Sequence, residues 1–432
     1  MELKVFKFGG SSVKNAERIS LVSDIIQSFS DNQLVVVISA MGKTTNELEQ
    51  VYKKYLIDND AGIKALDLIL DKHVAIAAEL GLDEQQIMKK LQAFVVDNLS
   101  TIAPSDSPDQ IYDGVISLGE LFSTTIIVEY LKSRSLSAKW MDVRYVLATD
   151  GRHKNAKVDF PLTSNKISKK TKKYFQDAQV IITQGFIGKS DMDMTTTLGR
   201  EGSDYTAAIF AYALDVEDLT IWKDVPGILT ADPRRFENVE LLEKLSYREA
   251  IEMTYYGAKV IHPKTIQPIQ NKRIKLNVRS FLSPTETGTV ISDPGMLNYP
   301  PIVVVQEGVI LLQIVSKDFS FIAEEHLSII YDKMAKYNVS SSVTRNSAIS
   351  FTLGINHIED TQLQKFIHSL GKEFAVEIYK GLQLITIRHV IPGIVESLTK
   401  NKVVLFEETL KNTVQLVVRP AKALVEKEQV SS

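Results

Sequence analysis

The sequence predicts an α/β protein with an open, mostly parallel sheet between helices, followed by smaller modules of the ferredoxin-like type. Near the amino terminus, two short apolar strands each lead through small polar residues into a helix, a repeat that builds parallel sheets. A glycine-rich segment at residues 195–208 precedes a further helix. Beyond a proline-containing segment, short strands and helices alternate in a tandem βαβ pattern.

Composition narrows the classes of protein that fit. The chain has 432 residues, 44% of them hydrophobic and 24% charged, with a net charge of −3 and no cysteine. That length predicts two or three globular domains, and the charge gives no basis for binding nucleic acid or an anionic membrane. Without cysteine there are no disulfides, thiolate metal sites or cysteine nucleophiles.

Membrane insertion and export are not expected. The first apolar run, residues 35–38, is far below the roughly 18 residues needed to span a bilayer, and no other run is predicted to reach that length. A strand begins directly after Met1, which leaves no room for a signal peptide. We therefore expect a cytoplasmic protein whose partners are small molecules.

The first strand, residues 3–8, is followed by Gly9, Gly10 and Ser11 and by a helix expected at 16–29. Strand, glycine turn and helix form a layout that cradles phosphates. Lys7 stands at the strand end, where a side chain points into the crevice at the carboxyl edge of a sheet. The spacing matches neither a P-loop nor a dinucleotide-binding fingerprint.

The second strand, residues 34–38, ends in a small, hydroxylated segment that includes Ser39 and Thr45. Helical spacing then runs from 47 to about 131. Glu120 lies among apolar neighbours on this stretch, where an unpaired buried carboxylate is costly. Two interpretations stay open: the side chain faces solvent, or it meets a cation such as a substrate ammonium.

The segment at 195–208 has the composition of an anion-binding helix start. Gly199 and Gly202 allow close backbone approach, and Ser203 or Asp204 can cap the helix. The first turn of a helix attracts phosphate or carboxylate oxygens. The alternative is an ordinary capped helix after a glycine turn.

A strand at 219–222 is followed by a polar excursion that is typical of a binding wall. Further on, Lys259 is either a surface lysine or a third cation that joins Lys7 and Arg200. His262 precedes a proline and is interpreted as structural, since no metal-type spacing surrounds it.

Residues 283–301 contain four prolines and are typical of a linker. After it the pattern predicts strands and helices in alternation, without a catalytic cluster, as in regulatory ferredoxin-like modules. The predicted strands are 303–305, 309–315, 348–353, 382–387 and 413–418, and the predicted helices are 322–337, 361–370 and 391–399. The final residues are short for a second module, which is either completed by the strand at 302–305 or degenerate.

Four motifs in order closely resemble those of the aspartate kinases, members of the amino acid kinase fold family: residues 7–13, 195–208, 222–234 and 257–259. The resemblance implies a catalytic domain at 1–292, a linker at 293–301, and paired ACT-type domains at 302–376 and 377–432. No dehydrogenase-sized segment follows Pro420, so a monofunctional enzyme is expected.

The resemblance implies transfer of the ATP γ-phosphate to the β-carboxylate of L-aspartate, the first step toward lysine, threonine and methionine. Lys7 would neutralise the phosphoryl group, Asp204 would orient Lys7, and Glu120 would hold the aspartate ammonium. Arg200 would pair with the α-carboxylate, with Ser39, Thr45 and Ser203 at the substrate. The ATP site would comprise Lys7, Gly9, Gly10, Ser11, Lys223, Asp224, Leu229, Arg234 and Lys259, with Lys259 reaching the phosphates.

Mg²⁺ is expected on ATP oxygens and water, because this ion commonly keeps several waters, and no protein ligand is predicted for it. The ACT-type domains imply an amino-acid effector, and a homodimer or higher homo-oligomer is implied by resemblance.

The sequence departs from the family pattern in three places. Glu201 stands where the family usually has glycine, and its charge is expected to weaken substrate or nucleotide binding. Leu229 replaces a frequent aromatic near the nucleotide. Residues 338–348 lack the carboxylates that hold lysine in lysine-inhibited members, so weak or absent lysine inhibition is expected.

The sequence leaves two alternative functions open. One is a kinase of glutamate or acetylglutamate with the same fold, against which stand the chain length, the ACT-like tail and the pairing of Glu120 with Arg200. The other is a non-catalytic effector sensor, which would be favoured if Lys7 or Asp204 were missing.

Overall fold

The computed structural model describes residues 1–100, 107–258, 261–293, 295, 297–318, 320–356, 358–421 and 427–430. The helices are α1 (Ala16–Ser28), α2 (Thr44–Ile57), α3 (Asn59–Glu79), α4 (Glu84–Ser100), α5 (Pro108–Ile116), α6 (Leu118–Ser133), α7 (Phe160–Tyr174), α8 (Gly202–Leu214), α9 (Tyr247–Tyr255), α10 (Pro263–Asn271), α11 (Glu324–Lys336), α12 (Asp360–Leu370) and α13 (Ile394–Thr399). Short 3₁₀ helices span Gly10–Val13 and Val143–Tyr145.

The strands are β1 (Leu3–Phe8), β2 (Gln33–Ile38), β3 (Ala138–Met141), β4 (Ala148–Thr149), β5 (Val180–Gln184), β6 (Ile187–Ser190), β7 (Thr195–Thr197), β8 (Asp218–Lys223), β9 (Lys244–Ser246), β10 (Lys275–Ser280), β11 (Thr289–Ser292), β12 (Ile302–Ser316), β13 (Ser341–Asn346), β14 (Ser350–Ile355), β15 (Phe374–Arg388), β16 (Lys402–Leu410), β17 (Thr413–Pro420) and β18 (Lys427–Val430).

The described residues form two compact units. The first comprises Met1–Ile228, Leu241–Ile251 and Val260–Leu297, and the second Leu229–Glu240, Glu252–Lys259 and Asn298–Ser432. The domain limits predicted from the sequence stay a prediction.

An eight-stranded sheet in the order β3-β5-β2-β1-β8-β10-β11-β9 organises the first unit. The pairs from β3 through β10 are parallel, whereas β10 and β11 are antiparallel. Central strands such as β2, with the sequence QLVVVI, are buried, as expected for strands covered by helices on both faces. This confirms the predicted open, mostly parallel sheet.

The register brings four strand ends to one edge. Phe8 of β1 pairs with Ile38 of β2 and Trp222 of β8, and Ile38 pairs with Gln184 of β5. Since these strands are parallel, the loops that follow them start side by side. A small sheet in the order β4-β6-β7 contains the threonines of β7.

The predicted helical stretch at 47–131 is confirmed as α2 through α6, interrupted by residues outside the described ranges. One helical segment, the 26 residues Pro108–Ser133, is long and apolar enough to cross a membrane by length and composition alone, with an 18-residue window of mean hydropathy 1.4. That window is 83% buried inside the protein, which is the property of a core helix.

In the second unit the sheet order is β13-β14-β12-β15-β17-β16, and β18 pairs with β15. Strand β12, helix α11, β13, β14, α12 and the first part of β15 follow one another as βαββαβ, the ferredoxin-like order. The prediction of two strands at 303–305 and 309–315 is wrong, because β12 is continuous, with irregular pairing near Glu307 and Val309.

The amino-terminal end of β12 lies beside a second set of strands. Ile302 pairs with Arg388 and Val305 with Ile385, and β15 in turn pairs with β17 and β17 with β16. The sequence pattern did not predict β13 or β16. Strand β13, with the sequence SSVTRN, has one apolar residue, and β16, with the sequence KVVLFEETL, has four apolar residues in succession without alternation.

Candidate active site

A cleft of about 530 Å³ lies in the first unit. Its walls come from the loops after β1 and β2, the start of α6, and the segment that enters α8. Eight of the residues predicted for the site line this cleft: Lys7, Gly10, Ser39, Thr45, Glu120, Arg200, Ser203 and Asp204.

Lys7 and Asp204 form an ion pair on the cleft wall. Their Nζ and Oδ1 atoms are 2.6 Å apart, with side-chain exposures of 11% and 7%. Burial opposes ionisation of Asp204, but the charges of Lys7 and Lys223 outweigh it and hold the pKa of this carboxyl below its usual value. The lysine charge is therefore fixed at the end of β1 by a partner that stays ionised.

Gly10 brings the loops after β1 and β2 into close contact. A Cβ atom here would lie 2.8 Å from the Ala40 carbonyl oxygen and 2.9 Å from that of Gly42, so only glycine fits. The Gly42 amide donates to the Gly10 oxygen at 2.9 Å. Gly9 lies beside Lys7, since its Cβ would be 3.3 Å from Lys7 Nζ, whereas Ser11 is exposed.

Glu120 is 3% exposed in the first turn of α6, so the interpretation as a solvent-facing glutamate is wrong. The Ala40 amide donates to Oε1 at 3.3 Å, while Oε2 is buried and has no hydrogen-bond partner among the described residues. Burial raises the pKa of Glu120 to about 8, against the opposing effects of the Ala40 amide and the Lys7 charge. A buried carboxylate with a vacant acceptor oxygen is suited to a cationic ligand.

The prediction that Ser203 or Asp204 caps α8 is wrong. The capping position is Glu201, in the left-handed region at φ 55°, and no described side chain makes a capping hydrogen bond there. Glycine suits this position because it adopts a left-handed backbone conformation more readily than other residues do. The Glu201 carboxylate accepts from the His262 amide at 3.0 Å, and its neighbour Arg200 is exposed.

Six predicted nucleotide-site residues within the described ranges are not part of the cleft lining: Gly9, Ser11, Lys223, Asp224, Leu229 and Arg234. Lys223, the last residue of β8, is half-buried, and Asp224, which follows it, is exposed. Leu229 and Arg234 belong to the second unit, where Arg234 pairs with Asp232 at 2.8 Å. Lys259 lies outside the described residues. His262, interpreted as structural, caps α10, because its Nδ1 accepts from the Lys264 amide at 3.1 Å.

Sequence reasoning missed three cleft residues: Tyr112, Lys154 and Phe186. Lys154 has a left-handed backbone at φ 63° and Phe186 at φ 68°. Both lie in segments between the motifs, and Tyr112 lies on α5, far from them in the chain. Within the described residues, no group of three or more His, Cys, Asp or Glu side chains could hold a metal ion.

The sequence and the fold are similar to those of known proteins. Residues 2–280 match the model of the amino acid kinase family. The chain is 32% identical over 402 residues to lysine-sensitive aspartokinase 3 of Escherichia coli K12, covering 89% of this chain and 87% of that protein. It is 34% identical over 306 residues to a chloroplastic bifunctional aspartokinase/homoserine dehydrogenase 2 of Arabidopsis thaliana, but spans only 32% of that longer protein.

Two crystal structures of E. coli aspartokinase III are similar over nearly the whole chain. The complex with lysine and aspartate superposes with a TM-score of 0.81 at 28% identity, covering 98% of this chain and 97% of the other. The complex with aspartate and ADP has a TM-score of 0.78 at 27% identity, with the same coverage. The chain therefore belongs to the amino acid kinase family and, within it, to the aspartokinases.

Proposed function

We propose that the protein transfers the γ-phosphate of ATP to the β-carboxylate of L-aspartate, giving ADP and 4-phospho-L-aspartate. The observation that carries this proposal is the buried Glu120 side chain, which lines the same cleft as Arg200 and Lys7. In the part of the chain that the structure describes, its Oε2 has no hydrogen-bond partner. An acidic side chain and a separate cation in one cleft match the two charges of a free amino acid.

In this assignment Glu120 binds the aspartate ammonium and Arg200 pairs with the α-carboxylate, a role suited to a planar, bidentate cation. Ser39, Thr45 and Ser203 supply hydroxyls to the substrate. The match to an aspartokinase bound to aspartate and ADP supports both substrates.

At the phosphate end, Lys7 lies where charge builds up on the transferred group, and Asp204 holds its ammonium in place. Gly9, Gly10 and Ser11 present backbone amides at the start of a 3₁₀ helix. The close approach of Gly10 to Ala40 and Gly42 leaves a phosphate cradle that is lined by backbone and not by side chains. Lys223, Asp224, Leu229, Arg234 and Lys259 complete the ATP site in this proposal.

The reaction requires no general base, since a carboxylate with an ordinary pKa near 4 is already ionised at neutral pH. A β-carboxylate oxygen attacks the γ-phosphorus, and the bond to the β–γ bridging oxygen breaks to release ADP. Lys7 and the first turn of α8 stabilise the charge on the phosphoryl oxygens. Mg²⁺ would supply further charge neutralisation while held through ATP oxygens and water.

A coupled ADP-release assay with Mg-ATP tests the proposal, run with L-aspartate, L-glutamate, N-acetylglutamate or no acceptor. Turnover with aspartate alone is expected. Turnover with glutamate or acetylglutamate instead would replace the substrate, and no turnover with any acceptor would favour a sensor.

We further propose that the second unit binds an amino-acid effector and that the protein is a homodimer or higher homo-oligomer. The ferredoxin-like order of β12 through β15 supports both proposals, as does the match to a lysine-bound aspartokinase. Light scattering at several protein concentrations tests the oligomeric state, and a monomer throughout would refute it.

A further inference from the structure

Asp113 is a fully buried carboxylate beside the cleft, and the proposed reaction does not use it. It lies on α5 and is 0% exposed. Burial raises its pKa, while hydrogen bonds from Thr197, Lys154 and His153 act in the opposite direction. Such a carboxylate is costly to bury and needs partners for both oxygens.

Its partners come from two separate chain segments. Thr197 Oγ1 donates to Oδ1 at 2.6 Å. The Lys154 amide donates to both oxygens, at 3.2 and 3.1 Å, and His153 Nδ1 lies 2.8 Å from Oδ2. One carboxylate thus joins the end of β7 to the loop at residues 153–154.

Both segments reach the cleft, where Lys154 and Thr197 are lining residues. The left-handed backbone of Lys154, at φ 63°, is unfavourable for a residue other than glycine unless its surroundings hold it. Two hydrogen bonds from its amide to Asp113 provide that restraint.

The same contacts extend to the loop that carries Arg200. The Ala156 amide donates to the Thr197 oxygen at 2.9 Å. A Cβ on Gly199 would lie 3.0 Å from the Lys154 carbonyl oxygen, so residue 154 packs directly against the residue before Arg200. The Lys154 side chain is held separately, by an ion pair to Asp109 at 2.5 Å.

We propose that Asp113 is a positioning residue that fixes the backbone of Lys154 and Thr197, so that the Arg200 loop is preformed for the acceptor amino acid. This inference rests on the proposed function. It assigns Asp113 to acceptor binding, separate from the phosphate end at Lys7.

The test is Asp113→Asn, which keeps the shape but removes the charge and one acceptor oxygen. We expect KM for aspartate to rise about tenfold or more, as for a lost charge-assisted hydrogen bond, with KM for ATP and kcat changed less than about threefold. Asp109→Asn is the matched control on the same helix, since it frees the Lys154 side chain but leaves its backbone held. Equal increases in both KM values, or no increase, would overturn the proposal.

Two additions keep the test decisive. If Asp113→Asn does not fold, Thr197→Val should raise KM for aspartate while Thr197→Ser, which keeps the hydroxyl, stays closer to wild type. Equal effects of the two variants would refute the positioning role.

Hydrogen–deuterium exchange needs no substrate. Asp113→Asn should speed exchange at residues 150–157 and 195–201 relative to Asp109→Asn, and unchanged exchange would refute the positioning role. Absence of wild-type turnover with aspartate would instead refute the proposed function.

Discussion

The pKa of Glu120 couples aspartate binding to pH. Burial raises this pKa to about 8, so below pH 8 the free enzyme carries a neutral acid, which attracts an ammonium less than the carboxylate does. We expect kcat/KM for aspartate to fall about tenfold for each pH unit below 8 and to level off above it, because this parameter reports the free enzyme. Glu120→Gln should lower kcat/KM and remove this slope. A profile that is flat across this range in the wild type would contradict the assigned role.

Lys7 is predicted to act at the phosphoryl group and not only in stability. Lys7→Met removes the charge beside Asp204, and kcat should fall by about 10²–10³-fold, as for other preorganised charges at transferring groups. Lys4→Met is the matched control on β1, since Lys4 pairs with Glu2 and Asp218 instead. If both variants lose activity equally, the effect comes from the strand and not from the charge in the cleft.

His73 makes the protein sensitive to acid. It is 0% exposed, and burial lowers its pKa to about 4, while Nδ1 lies 2.7 Å from the Ile69 oxygen. Unfolded histidine titrates near 6.5, so between these values the unfolded chain binds more protons. Stability present above about pH 6.5 is therefore lost as pH falls toward 4, by up to about 3 kcal/mol.

Urea unfolding at about pH 7.5 and pH 5 measures this loss. His73→Leu should reduce the drop in unfolding free energy between the two pH values, whereas His368→Leu, at an exposed position, should leave it unchanged. An equal drop in wild type and His73→Leu would contradict the prediction.

At the scale of elements, the contact between the first two loops depends on Gly10. Gly10→Ala places a methyl group against two carbonyl oxygens, those of Ala40 and Gly42, which only backbone movement relieves. Such overpacking costs about 1–3 kcal/mol, and we expect KM for ATP to rise with it. Gly151→Ala is the control, because its Cβ would meet only the flexible end of Met192, at 3.4 Å. An unchanged KM for ATP in Gly10→Ala would refute the cradle.

The elements also explain which site residues the sequence could reveal. Lys7 lies next to the last residue of β1, Ser39 follows β2, and Asp204 lies in the first turn of α8. The parallel register brings such positions together. Tyr112 and Lys154 reach the cleft only because α5 packs beside β7, a contact that no local pattern encodes. The capping prediction at α8 was wrong because Glu201 adopts a left-handed conformation, which composition does not specify.

For the whole molecule, we predict weak or absent inhibition by lysine. Its E. coli relative is named lysine-sensitive, but residues 338–348 here contain no carboxylate to meet the amino groups of lysine. The segment includes β13, whose ends are exposed. Steady-state assays with lysine and, separately, threonine measure the response. Potent inhibition by lysine would show that carboxylates elsewhere bind it.

The central claim is that this cleft makes an acyl phosphate on aspartate. Hydroxylamine converts an acyl phosphate to a hydroxamate, so the most direct measurement is mass spectrometry of the product formed from Mg-ATP, L-aspartate and hydroxylamine. We expect the β-hydroxamate of aspartate from the wild type and much less from Lys7→Met. ADP release without any aspartyl hydroxamate, or hydroxamate formed only from another amino acid, would contradict it.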